Sequence, residues 1–309
     1  MEALSVSPRI TKARLIWVPF ALMAIGSWTP VAGMWLNGMQ WSGATGRAVA
    51  FWYTVPALLA VLLVQGPWLK QEVLKPLGVR LSINRWWVIA WLLPVAILLI
   101  GALVTWAAGF EPVLSVERLL ETKRSTVPPD QLVQFDAYVA NSPPPHPLML
   151  IVMGLPAGLT FNLVPGLCEE IAFRGYYFRE VQGGFWARST KIGLLWWLWL
   201  APSVAIGNLY GVPGLWSMAL ALPWCIVASW VLVYLRVRSE SVLAVAITRG
   251  TMLALTAAAQ DITFGAPTWL GPFYGLGGIA GFSIIWLAFW IDDLTRKEGR
   301  LTASSGSTA

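Results

Sequence analysis

The stretch Leu167-Cys168-Glu169-Glu170-Ile171-Ala172-Phe173-Arg174-Gly175-Tyr176-Tyr177-Phe178 decides how the chain is read. Two adjacent carboxylates and an arginine close a segment otherwise composed for lipid. An ionisable side chain at membrane depth costs about 3 kcal/mol or more unless it is paired, wet or able to reach the interface, so Glu169, Glu170 and Arg174 are candidate functional residues. On a helix, Glu170 and Arg174 stand one turn apart with the acid on the N-terminal side, the favourable order for a direct pair. Glu169 is turned by about 100° from its neighbour and so faces a different side, toward the interior of a bundle. The bland alternative is that all three snorkel at the cytoplasmic interface.

Working outward, 57% of the 309 residues are apolar, only 12% are charged and 20 are Trp. Too little polar surface exists to cover a water-soluble domain, which predicts an integral membrane protein. The net charge of +6 is a topological signal, because Lys and Arg are retained on the cytoplasmic side; it gives no reason to expect nucleic acid as a partner. Cys168 and Cys225 fall in or beside apolar segments and read as small buried side chains, with no extracellular cysteine framework.

Apolar runs at 15–36, 49–68, 86–110, 148–168, 192–210, 215–235, 242–259 and 275–291 each approach the ~20 residues a bilayer core requires. The expected fold is therefore all-α, a polytopic membrane helix bundle of about eight transmembrane helices, the first of them a retained signal anchor. With a cytoplasmic N-terminus, 16 of the 21 lysines and arginines fall on inner segments. That asymmetry predicts both termini inside. The chain divides into an N-terminal three-helix membrane region (1–110), an outer loop (111–147), a five-helix core (148–295) and a disordered Ser/Thr/Gly/Ala tail (296–309). In the outer loop, 116–120 reads as a short interfacial helix and Pro143 to Pro147 as a stiff spacer. Trp86, Trp87, Trp196, Trp197 and Trp199 are expected in an interfacial aromatic belt, and Gly277 with Gly281 marks a close helix contact.

Glu-Glu-x-x-x-Arg, present as Glu169 to Arg174 and extended by Gly175, resembles the signature of the CAAX protease and bacteriocin-processing (CPBP, or Abi) intramembrane proteases. The likeness covers roughly residues 148–259. It implies an endopeptidase site near the cytoplasmic face, in which the first Glu and two histidines from later spans surround a water or a metal. The family's Phe-x-x-x-His motif aligns with Val204 to Asn208, placing Asn208 at the first His. The His-x-x-x-Asn motif aligns with Arg249 to Leu253, placing Arg249 at the second His. The chain's single histidine, His146, precedes Glu169 by 23 residues, roughly 34 Å of straight helix, and reads as a solvated loop residue.

A catalytic zinc takes three protein ligands from His, Glu, Asp or Cys plus an open water position. Around Glu169 the sequence offers Glu170, Cys168 and Asn208, so neither a metal nor another cofactor is expected unless the later motif register is wrong. Without metal, Glu169 would act as a general base and Asn208 or Arg249 as the oxyanion donor. Arg249, about 12 Å into its span from Ser241 at 1.5 Å per residue, is expected to reach Glu169 and to consume its lone pairs; the alternative is a cation snorkelling into a wet cavity. The leading reading is a pseudoenzyme of this family in the bacterial plasma membrane, in contact with lipids and binding a membrane-protein or peptide partner. An active glutamate-type endopeptidase is the alternative. A small transporter is weaker, because no inverted repeat is visible.

Overall fold

The computed structural model describes residues 12–39, 41, 43–296 and 300–302. The described residues form helices and connecting loops without strands: α1 (Lys12–Leu36), α2 (Gly43–Leu63, continued by a π turn over Val64–Trp68), α3 (Arg85–Ala107), α4 (Val116–Ser125), α5 (Leu132–Asn141), α6 (Pro147–Gly158), α7 (Leu163–Glu170), a π-helical stretch (Ile171–Tyr177), α8 (Phe178–Glu180), α9 (Phe185–Ala205), α10 (Leu215–Ser239), α11 (Val242–Ala254), α12 (Thr256–Ile262) and α13 (Leu276–Thr295). In lipid every backbone polar group must be satisfied within the segment, and the helix does so. Local chemistry fixes the starts. The Asn84 side chain accepts from Trp86 N before α3, Ser115 Oγ accepts from Arg118 N before α4, and Ser241 Oγ accepts from Leu243 N before α11. α10 stops where Glu240 turns to φ +58°.

All eight apolar runs are helical over most of their length. Among the described residues five single helices are long and apolar enough to cross a membrane, α1, α2 with its π turn, α3, α10 and α13, and two bent pairs raise the count to seven. α6 with α7–α8 is bent by 57°, and α11 with α12 by 42°. The remaining expected span, α9, is 21 residues long but is not among the helices apolar enough to cross; Arg188 and Lys191 sit in its first turns. The outer loop is more ordered than expected: its interfacial helix runs to Ser125, and α5 follows where no helix was foreseen. Pro143 to His146 carry no helix, and Pro147 occupies the first position of α6. The disordered tail expected over 296–309 falls mostly outside the described residues. Leu301 and Thr302, which are described, donate their backbone N–H groups to Asp293 at 3.1 and 3.0 Å.

Glycines set how closely the helices approach. A Cβ on Gly277 would lie 2.7 Å from the Gly101 carbonyl and one on Gly281 3.1 Å from Ile97, so the expected contact is intramolecular, α13 on α3. A second seam escaped the sequence reading. Gly154, Gly158 and Gly166 sit at intervals of four and eight, and added Cβ atoms there would meet Leu255 at 2.4 Å, Thr251 at 2.3 Å and the Ala246 carbonyl at 2.7 Å. Gly250 answers from α11, its would-be Cβ 2.7 Å from the carbonyls of Asn162 and Gly158. Small residues let backbones touch where lipid supplies no hydrophobic driving force, and α6–α7 therefore lies directly along α11.

The interfacial belt is overturned for Trp196 and Trp199, which are 1% and 0% exposed. Each finds an internal acceptor for its indole N–H, Glu169 Oε1 for Trp196 and Ser27 Oγ at 3.0 Å for Trp199, which makes burial favourable. Trp86 is buried as well, edge-on to Tyr234 and Phe289. Trp17, Trp35 and Trp216 are instead exposed.

Candidate functional site

Glu169 and Glu170 end α7, and the chain passes straight into the π-helical stretch carrying Arg174. Such insertions are rare and concentrate at functional positions. Residues 168–177 are all buried, which removes the snorkelling alternative for this group. Arg174 Nη1 donates to Glu170 Oε1 at 3.1 Å, both side chains fully enclosed. This is the pair expected one turn apart.

Glu169 faces away from it, into the bundle, and meets Arg249 of α11. Arg249 Nε donates to Oε2 at 2.9 Å and Nη2 to Oε1 at 3.4 Å. The Trp196 indole N–H donates to Oε1 at 2.5 Å. Both carboxylate oxygens are thus engaged by buried donors. The α7–α11 seam explains the register: Glu169 lies three residues beyond Gly166, and Arg249 immediately precedes Gly250, two glycines whose backbones meet across the seam.

Three residues of this site were not foreseen. Trp196 joins the two ion pairs, with the Arg174 guanidinium 4.4 Å and that of Arg249 5.5 Å from its ring centroid. Tyr274, in the loop before α13, accepts from Arg249 Nη1 at 3.4 Å. Trp224 packs between Trp196 and Tyr274, at 5.0 and 5.2 Å, and its N–H donates to the Phe273 carbonyl at 2.7 Å. Cation–π contact compensates part of the cost of enclosing two guanidinium groups. The available sequence signal was Trp at 196, four residues after the apolar run of α9 begins; it was hidden among 20 tryptophans.

Asn208 bonds elsewhere. Its amide donates to Ser203 Oγ at 3.0 Å and its Oδ1 accepts from Leu209 N at 2.9 Å, so it closes the turn after α9. Among the described residues it makes no hydrogen bond to Glu169. His146 is exposed at the start of α6, its Nδ1 accepting from Leu148 N. Among the described residues no three of His, Cys, Asp and Glu gather within reach of one ion, and Glu169 and Glu170 already face arginines; this donor set does not fit a catalytic zinc. Several buried atoms have no hydrogen-bond partner among the described residues: Glu170 Oε2, Arg174 Nε and Nη2, and Thr251 Oγ1.

Among curated proteins none matches the chain. A family model does, that of the Rce1-like type II CAAX prenyl endopeptidases, over residues 150–255, about a third of the chain. That region holds Glu169, Glu170, Arg174, Trp196, Asn208 and Arg249. Carrying this match over α6 to α11, together with several helices built to cross a bilayer, the chain is an integral membrane protein with a domain of the CAAX protease (CPBP) family.

Proposed function

We propose that the chain is a non-hydrolytic member of this family in the bacterial plasma membrane, one that keeps the bundle and binds a membrane-protein or peptide partner. One observation carries the reading: both oxygens of Glu169 are held, Oε2 by Arg249 at 2.9 Å and Oε1 by Trp196 at 2.5 Å. A general base needs a free lone pair aimed at its water; here three buried donors take three of the roughly four acceptor sites of the carboxylate, and the residue is only 1% exposed. Arg249 supplies at the second His position a fixed positive charge that satisfies the acid and ends its chemistry. Neither zinc nor another cofactor has a role in this reading, and nucleic acid is not among the partners.

The binding role is supported by the unfilled hydrogen-bonding capacity of Glu170 and Arg174. Buried polar atoms without partners are costly; because both side chains are fully enclosed, a polar group of a bound peptide would satisfy them only when the bundle opens to admit it. The test is a proteolysis assay on purified protein in lipid nanodiscs with quenched-fluorescent membrane peptides, prenylated and not. No turnover is expected. Cleavage by the wild type that disappears in Glu169→Gln would overturn the proposal in favour of a glutamate-type endopeptidase.

A further inference from the structure

We propose that Arg188 and Arg236 form a seat for a phosphate group at the basic end of the bundle, filled by the headgroup of an anionic lipid. The ends of α2, α8, α10 and α13 and the starts of α3, α9 and α11 meet here. Ser82 Oγ donates to the Ser239 carbonyl, Val242 N donates to the Gly78 carbonyl at 2.9 Å, and Ser241 Oγ donates to the Arg80 carbonyl at 2.5 Å. The 78–80 loop is thereby tied to the α10–α11 junction.

Two guanidinium groups converge on one ring. Arg188 lies 5.1 Å and Arg236 5.4 Å from the Phe178 centroid. Arg236 is only 8% exposed, and its one hydrogen bond among the described residues runs from Nε to the Arg174 carbonyl at 3.2 Å. Arg188 likewise uses Nε on a carbonyl, that of Val181 at 3.0 Å. Neither has a carboxylate within ion-pair distance among the described residues. The neighbouring acid, Glu240, is exposed and pairs with neither. The seat is shaped by the backbone: Gly78 sits at φ +76°, and a Cβ there would fall 1.8 Å from Arg236 Nη2. A buried cation without a counter-charge is costly, and contact with one aromatic face offsets only part of that cost. What remains are two guanidinium groups against one ring, each using only its Nε on a backbone carbonyl among the described residues, and a planar fork with N–H donors to spare is the chemistry that recognises a phosphate. Their position at a helix-bundle end rich in cations makes a lipid phosphodiester the occupant, since such ends face the anionic leaflet.

The experiment is native mass spectrometry of the purified full-length protein titrated with phosphatidylglycerol or phosphatidylcholine, with a parallel thermal-shift series in inorganic phosphate. The wild type is expected to retain phosphatidylglycerol preferentially, and Arg188→Gln to bind it about tenfold more weakly, the loss of one charge-assisted hydrogen bond. Arg118→Gln, at the opposite end, leaves binding unchanged. Arg188 is only part-buried, so this variant decides the matter even if Arg236→Gln fails to fold. Equal retention of both lipids, or undiminished phosphatidylglycerol binding in Arg188→Gln, would overturn the seat. Stabilisation by inorganic phosphate that depends on Arg188, without any lipid preference, would overturn the lipid as its source.

Discussion

Replacing Arg249 by Gln tests the central ion pair by the sign of an energy. The variant keeps much of the stem of the side chain and strands the Glu169 carboxylate with Trp196 alone. Breaking a buried pair by removing one partner costs about 3–5 kcal/mol, because a charge is left enclosed without its counterpart. The structure supports the lower half of that range. One hydrogen bond, at 2.9 Å, is well formed and worth about 1.5–3 kcal/mol as a charged contact; the second, at 3.4 Å, is long. Loss of the guanidinium from the Trp196 face removes about 1 kcal/mol more, and an unfolded chain in micelles recovers part of this through other partners. The expected cost is about 3 kcal/mol. The double variant Glu169→Gln with Arg249→Gln strands no charge, so it should be more stable than Arg249→Gln alone despite lacking both groups. Reversible unfolding in mixed micelles, followed by circular dichroism for the wild type, both singles and the double, gives the four values. A cost under about 1 kcal/mol for Arg249→Gln, or a double variant equal to the two singles combined, would refute the account of Glu169 as a quenched acid.

Trp196→Phe keeps a ring against both arginines but deletes the N–H on Glu169 Oε1; it should cost about 1.5–3 kcal/mol, seen in the same unfolding experiment. Gly166→Ala drives a methyl group against the Ala246 carbonyl and should cost about 1–3 kcal/mol by overpacking, whereas Gly33→Ala, with nothing near its would-be Cβ, should be neutral or stabilise by up to about 1 kcal/mol. In the outer loop, the Glu117 carboxyl lies below its ordinary range because it accepts from its own backbone N–H and from Ser115 at the start of α4. A depressed carboxyl contributes stability above its unfolded value and loses it as pH falls through the folded one. Order in α4 should therefore decrease below about pH 4.5, and Glu117→Gln should flatten that response in hydrogen exchange measured across pH.

Glu170 and Arg174 were legible because both lie on one helix, where sequence spacing is itself a distance. The same logic turned Glu169 to a different side. Asn208 lay outside that logic, since a motif position inherited from a family says where a side chain starts and not which acceptor it finds; in the turn after α9 its amide donates to Ser203. Trp196 and Trp199 were misplaced for a related reason. Amphipathic indoles suit an interface by composition, but an internal acceptor outweighs that preference, and acceptors are a property of neighbouring helices.

From the sequence alone came the membrane class, the apolar helical segments and the Glu170–Arg174 pair, all consequences of what each segment can bury or bond within itself. Only the tertiary structure decided that α6–α7 runs along α11 on a glycine seam, that Arg249 and Trp196 close on the two oxygens of Glu169, and that Arg188 and Arg236 share the ring of Phe178. Those outcomes depend on how closely separate helices approach, which small residues permit but do not by themselves direct. Packing then fixes the approach, and side chains 80 residues apart, Glu169 and Arg249, become neighbours.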